Sequence, residues 1–84
     1  MPKNIAIFAS GSGSNAENIV RYFQNSEDFS FPLIISNKSD AYVHERAKNL
    51  NIKSVSFKKV DFESGEEILA LLQDHRIDAI VLAG

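Results

Sequence analysis

Four predicted strands, three of them short apolar runs and one a serine–apolar alternation, are interleaved along this sequence with three predicted helices. The apolar runs resemble strands buried in a sheet. The first of the helical segments places Ala16, Ile19, Val20 and Phe23 at the i, i+3, i+4 and i+7 positions, and the second has the inward positions Val43, Ala47 and Leu50. Regular alternation of strand and helix predicts parallel strands joined by right-handed crossovers. The strands are predicted at 5–9, 31–35, 54–57 and 78–82, and the helices at 16–24, 40–50 and 64–75.

The expected fold is therefore an α/β, Rossmann-like, doubly wound parallel sheet with strand order 3-2-1-4. No repeat, linker or low-complexity tract divides the 84 residues, so we expect a single domain spanning 1–84. Ligands bind such sheets at the carboxyl ends of the strands, where the strand order reverses. The loop 10–15 and the pair Ala83–Gly84 are predicted to face each other across that crevice.

Polar residues mark the predicted helix ends. Asp40 is placed to cap the start of the second helix, and Asn51 suits the left-handed position after its end. Ser64 and Glu67 have the spacing of a capping box at the start of the third helix.

Composition excludes several classes of function. Hydrophobic residues at 44% and charged residues at 24% are ordinary for a globular protein. A net charge of −2 gives no general attraction to nucleic acid, and the apolar run 5–9 is too short for a signal peptide or a membrane span. With no cysteine and only two distant histidines, we expect no metal site, no membrane or nucleic-acid partner, and a cytoplasmic location.

A glycine-containing loop joins the first strand to the first helix, and it is the strongest candidate site. Free backbone amides at a helix N-terminus bind anions, and glycine lets a ligand approach the backbone closely. Short side chains in the same loop add hydrogen-bond donors. We therefore expect a phosphate group to bind at Gly11, Ser12, Gly13, Ser14 and Asn15.

Two other interpretations of this loop remain open from the residues alone. The loop is only a turn if Ser14 and Glu17 form a capping box that satisfies the same amides internally. Residues 11–16 also match the G-x-G-x-x-G/A pattern of dinucleotide sites, but the second strand is followed by 36–38, Ser-Asn-Lys, instead of an acidic residue. Lys38 would suit a 2′-phosphate, so an NADP-binding module is the alternative.

Three segments together resemble glycinamide ribonucleotide formyltransferases: the loop Gly-Ser-Gly-Ser-Asn after strand one, the run 36–41 with Glu45-Arg46-Ala47, and the ending 81–84. The resemblance covers essentially the whole chain. It implies formyl transfer from 10-formyltetrahydrofolate to the amino group of glycinamide ribonucleotide in de novo purine biosynthesis. It also implies that the glycine loop holds the 5′-phosphate and that Gly84 lies near the glycinamide end. Other folate-dependent formyltransferases and hydrolases share parts of this pattern.

The family's catalytic asparagine, histidine and aspartate correspond to positions beyond Gly84, so the resemblance implies no catalytic residue within 1–84. His44 and His75 are predicted to lie in or at the end of helices and to be structural. The fourth strand is expected to lie at the sheet edge without cover, as in an incomplete domain. We expect the 84-residue chain to be inactive alone and able to self-associate through that edge.

Overall fold

The computed structural model of the chain describes residues 2–57 and 65–83. In these two ranges the chain forms four strands and three helices that alternate in the expected order. The strands are β1 (Lys3–Phe8), β2 (Phe29–Ser36), β3 (Lys53–Ser56) and β4 (Ala79–Leu82), and the helices are α1 (Ser14–Phe23), α2 (Val43–Asn49) and α3 (Glu66–Asp74). Among the described residues, no helix has both the length and the apolar character needed to cross a bilayer.

The four strands form one parallel sheet in the order β3-β2-β1-β4, which confirms the predicted topology. Strand β2 carries one more residue than β1 between the pairs Asn4–Ser30 and Ala6–Leu33. Pro32 lies in this interval, and a proline has no N–H to donate to the ladder. The irregularity therefore falls where β2 is unable to pair regularly.

Helices cover both faces of the sheet, as expected for a doubly wound fold. On one face, residues of α1 and α2 pack around Ile7 and Ile34, which are fully buried. On the other face, Ala6 and Leu33 are buried against partly buried residues that include those of α3. Of the predicted inward positions of α1 and α2, Ala16, Val20, Val43 and Ala47 are buried, whereas Ile19, Phe23 and Leu50 are partly buried.

Helix α2 begins at Val43, so the prediction that Asp40 caps it is wrong. The Val43 N–H, which an N-terminal cap would serve, instead donates to the Gly11 carbonyl oxygen at 3.3 Å. A tertiary hydrogen bond thus replaces the local cap. Asn51 has a φ of 59°, as predicted for the left-handed position after α2. The predicted capping box of α3 includes Ser64, which lies outside the described residues.

The half of the fold formed by α3 and β4 is thinly packed. Helix α3 has no buried residue, and two side chains of β4, Ile80 and Leu82, are 49% and 77% exposed. Among the described strands, β4 pairs only with β1 and lies at the edge of the sheet. Two hydrogen bonds of Asn4, the Asn4 clasp, join the start of β1 to the residues before β4. Asn4 donates its backbone N–H to Asp78 Oδ2 (2.8 Å) and its Nδ2 to the Arg76 carbonyl oxygen (3.0 Å).

Candidate phosphate-binding site

The glycine loop lies at the carboxyl end of β1, as the topology requires. Phe8, the last residue of β1, pairs with Leu82 of β4, and its carbonyl accepts the Ala83 N–H at 2.8 Å. Across the same opening, Asn15 Nδ2 donates to the Ala83 carbonyl at 3.4 Å. The predicted convergence of the loop with the residues after β4 is therefore present, while Gly84 itself lies outside the described residues.

Gly13 occupies a position that only glycine fits without strain. Its φ is +80°, in the left-handed region, and it is buried at the start of α1. A Cβ added there would lie 2.5 Å from Val43 Cγ2, 2.7 Å from Val43 Cβ and 2.8 Å from Val43 Cα. Gly11 differs, because a Cβ there has no described atom within 4 Å. Gly13 therefore holds the loop against α2, whereas Gly11 borders open space.

Two carbonyl groups of the loop are turned toward α2. The Gly11 carbonyl accepts the Val43 N–H at 3.3 Å, and the Ser12 carbonyl accepts Arg46 Nε at 2.7 Å. The C=O and N–H of a trans peptide point in opposite directions. The N–H groups of Ser12 and Gly13, which belong to the same two peptides, are consequently directed away from α2.

The first turn of α1 adds further donors beside these two amides. The hydrogen bond from Glu17 N–H to the Gly13 carbonyl (2.9 Å) is the first of the helix, which leaves the amides of residues 14–16 without an intrahelical acceptor. The Ser14 N–H makes only a long hydrogen bond to Ser12 Oγ, at 3.4 Å. Ser12, Ser14 and Asn15 are exposed, so their side chains are accessible to a ligand.

Ser14 and Glu17 do not form the capping box that would make the loop only a turn. No side chain caps α1, and the residue at the N-cap is Gly13. The Glu17 carboxylate accepts Arg21 Nε at 3.1 Å through one oxygen and Arg46 Nη1 at 3.2 Å through the other. The hydrogen bond from Arg21, together with that from Arg46, holds the pKa of Glu17 below its ordinary value, so this carboxylate is ionised at neutral pH.

Arg46 was missed as a functional candidate, although its position carries a sequence signal. Val43, Arg46, Ala47 and Leu50 have the i, i+3, i+4, i+7 spacing of one helix face. Helical periodicity identifies inward positions by apolar residues, here Val43, Ala47 and Leu50, and assigns no role to a charged residue on the same face. Arg46 is partly buried and lies on the inward side of α2, where its guanidinium reaches the loop.

The histidine in α2 has a structural role. His44 Nδ1 lies 2.9 Å from Ser54 Oγ, and His44 Nε2 lies 2.9 Å from the Lys38 carbonyl oxygen. An Nε2–H can donate to that carbonyl, while Nδ1 pairs with the serine hydroxyl, which can donate or accept. These two contacts fix the segment after β2 to β3, as expected for a structural histidine.

The residues after β2 lie where the dinucleotide alternative would bind the ribose of its cofactor. Ser36 is buried, and its Oγ accepts the Lys38 N–H at 3.2 Å. Lys38 is exposed.

Within the described ranges, no group of three or more histidine and acidic side chains is close enough to hold a metal ion.

Comparisons with known proteins agree with the resemblance of the three segments. A family model described as Formyl transferase matches residues 3–84. Phosphoribosylglycinamide formyltransferase from Bacillus subtilis (strain 168) is 38% identical over 87 residues, which cover 98% of this chain and 45% of that protein. The protein of the same name from Haemophilus influenzae is 36% identical and covers 98% of this chain and 41% of its own length.

The similarity extends to solved structures. The crystal structure of phosphoribosylglycinamide formyltransferase from Streptococcus pneumoniae TIGR4 matches with a TM-score of 0.79 and 40% identity, covering 100% of this chain and 45% of that one. The chain thus spans somewhat less than half the length of the relatives it matches. These matches do not favour an NADP-binding module. The family model covers nearly every residue, and on that evidence the chain belongs to the formyl transferase family.

Proposed function

We propose that this chain supplies the ribonucleotide phosphate site of an enzyme that transfers a formyl group from 10-formyltetrahydrofolate to the amino group of glycinamide ribonucleotide, in the cytoplasm. The 5′-phosphate binds the loop at Gly11, Ser12, Gly13, Ser14 and Asn15. Gly84 lies near the glycinamide end of the same ligand. Support for the acceptor comes from the relatives, which are named phosphoribosylglycinamide formyltransferase.

The observation that carries this proposal is the direction of the loop amides. The carbonyls of Gly11 and Ser12 are both hydrogen bonded to α2, so the N–H groups of Ser12 and Gly13 face the other way. The N-terminus of α1 lies beside them and adds the positive end of a helix dipole. Converging amides at a helix start are the usual protein partners of a phosphate.

General magnitudes support a site of this kind without a lysine. Each hydrogen bond to a charged group contributes about 1.5–3 kcal/mol, and the helix dipole adds about 0.3–2 kcal/mol for an anion at its N-terminus. Two loop amides and the Asn15 side chain together contribute about 4.5–9 kcal/mol, from which the cost of association is subtracted. A millimolar to micromolar ligand needs a net binding free energy of about −4 to −8 kcal/mol.

The chemical step needs groups of another kind. A neutral amine must attack the formyl carbon, a donor must stabilise the tetrahedral oxyanion, and a proton must reach the leaving folate nitrogen. In this proposal the residues of 1–84 orient the acceptor through its phosphate, and the groups that act on the reacting atoms belong to other residues. The chain alone is accordingly expected to bind the ribonucleotide without transferring the formyl group.

The test is an amide-resolved NMR titration of the chain with glycinamide ribonucleotide and, separately, with NADPH, following residues 11–15. We expect saturable shifts with the ribonucleotide, weaker shifts with ribose 5-phosphate, and none in this loop with NADPH. Shifts with NADPH alone would overturn the proposal in favour of a dinucleotide site. No saturable shift with either ligand would leave the loop as a turn.

Substitutions sharpen the same experiment. Asn15→Ala removes a side-chain donor at the loop, and we expect the Kd for glycinamide ribonucleotide to rise about tenfold. Asn18→Ala is the matched control, because Asn18 is an exposed residue of the same helix that lies beyond its first turn. Lys38→Ala leaves ribonucleotide binding unchanged in this proposal but abolishes NADPH binding in the alternative.

A further inference from the structure

Arg46 makes a short side-chain hydrogen bond to the glycine loop. Its Nε donates to the Ser12 carbonyl oxygen at 2.7 Å, while its Nη1 donates to Glu17 Oε1 at 3.2 Å. Its guanidinium carbon also lies 5.2 Å from the centre of the Tyr42 ring. One side chain thus connects helix α2 with the loop and with α1.

The Ser12–Gly13 peptide needs such an anchor because its second residue is a glycine. Rotating this peptide changes ψ of Ser12 and φ of Gly13, and glycine accepts φ values of either sign. The close approach to Val43 requires a glycine at this position, and that same glycine leaves the peptide free to turn over. If the peptide turned, its carbonyl oxygen would face the ligand and its N–H would face α2.

The guanidinium is itself fixed in place. Glu17 binds Arg46 through one carboxylate oxygen and Arg21 through the other. A planar guanidinium reaches the Ser12 carbonyl and the Glu17 carboxylate simultaneously through different nitrogens, which a lysine ammonium on its flexible stem does less well. Glu17 is also the residue that a capping box would have used at the start of α1.

We infer that Arg46 is a positioning residue that fixes the Ser12–Gly13 peptide with its N–H directed at the phosphate; this inference rests on the proposed function for the identity of the ligand. Arg46 acts from behind the loop, through the Ser12 carbonyl, and polarises the peptide whose N–H binds the ligand. Its role is therefore separate from that of Asn15 and the other residues that touch the phosphate in the proposal.

The experiment compares Arg46→Gln and Arg46→Lys with two controls in the full chain. Arg21→Gln removes the other arginine that binds Glu17. Arg21 reaches Glu17 from within the same helix, α1. Leu50→Ala removes apolar packing at the far end of α2 and reports a general loss of stability. For each variant, NMR gives the loop amide shifts of the free protein, and calorimetry gives the Kd for glycinamide ribonucleotide.

We expect Arg46→Gln to move the Ser12 and Gly13 amide resonances in the free protein and to raise the Kd about tenfold, with Arg46→Lys in between. Arg21→Gln and Leu50→Ala should leave these resonances in place and the Kd within about twofold of wild type. Equal effects of Arg46→Gln and Leu50→Ala would overturn the inference, because a general loss of stability would then explain both.

Two further measurements keep the inference testable if Arg46→Gln does not fold or if the chain binds no ribonucleotide. In the wild-type chain, the Arg46 Nε–H should exchange slowly with water and show coupling across the hydrogen bond to the Ser12 carbonyl carbon; rapid exchange without coupling would refute the anchor. If the wild type binds no ribonucleotide, the proposed function fails, while the amide shifts of the free variants still decide whether Arg46 orients the loop.

Discussion

Gly13→Ala should destabilise this fold far more than a glycine-to-alanine change elsewhere in the chain. The φ of +80° costs an alanine about 1–2 kcal/mol. The added Cβ would also lie 2.5–2.8 Å from three atoms of Val43, one of which is backbone, and such overpacking costs about 1–3 kcal/mol. The sum, about 2–5 kcal/mol, is a large fraction of the roughly 4–13 kcal/mol expected for a domain of this length.

Two other glycines separate the two contributions. Gly65 has a φ of +74° but no described atom within 4 Å of an added Cβ, so Gly65→Ala should show only the conformational cost of about 1–2 kcal/mol. Gly11 has neither a positive φ nor a near neighbour among the described residues, and Gly11→Ala should be neutral or stabilising by up to about 1 kcal/mol.

Urea unfolding followed by far-ultraviolet circular dichroism gives the free energies, with the slope of each curve as the check that the unfolded states are comparable. Val43→Ala removes Cγ2 but leaves the Cβ and Cα atoms 2.7 and 2.8 Å from the new methyl group, so it should not restore the stability of Gly13→Ala. The reasoning is refuted if Gly13→Ala costs no more than Gly65→Ala, because the contact with Val43 would then have no energetic effect.

Two further changes test other contacts of the fold. The pKa of Glu17 is lowered in the folded state, so its ion pairs stabilise the fold fully above the ordinary glutamate pKa of about 4.3. That stabilisation is lost as the pH falls through the folded-state pKa. The melting temperatures of wild type and Glu17→Gln should therefore converge in acid. A difference that stays constant with pH would contradict this. Asn4→Ala removes the hydrogen bond to the Arg76 carbonyl and should lower the free energy of unfolding by about 1 kcal/mol. Urea unfolding measures this, with Asn25→Ala as an exposed control. Equal effects of the two changes would contradict a structural role for the Asn4 clasp.

The strand order and the place of the candidate site followed from the sequence because both depend on pattern. The apolar runs and the glycine loop are local signals, and the topology of parallel sheets leaves few arrangements for them. Ends of elements were less predictable where distant residues compete for the same groups. Asp40 is a good local cap, but the Val43 N–H pairs with Gly11, thirty-two residues earlier in the chain.

The role of Arg46 was hidden for a related reason. Helical periodicity identifies inward positions by their apolar residues, and it treats a charged side chain on the same face as an exception. Only the three-dimensional structure shows that α2 packs so closely on the loop that a guanidinium at this position reaches the Ser12 carbonyl. The partnership of Glu17 with two arginines, one from α1 and one from α2, likewise depends on how these helices lie together.

The division of the core bears on the order in which parts of the chain can fold. The cluster around Ile7 and Ile34 draws on residues 7–52, with Ala83 as the exception. The loop can therefore meet Val43 and Arg46 without any residue of α3 or β4, through hydrogen bonds that join residues at most 34 positions apart. The partner of Asn15 at Ala83 lies 68 residues later. Closing the crevice thus needs a contact of longer sequence separation than those that shape the glycine loop, and a longer loop carries the larger closure entropy.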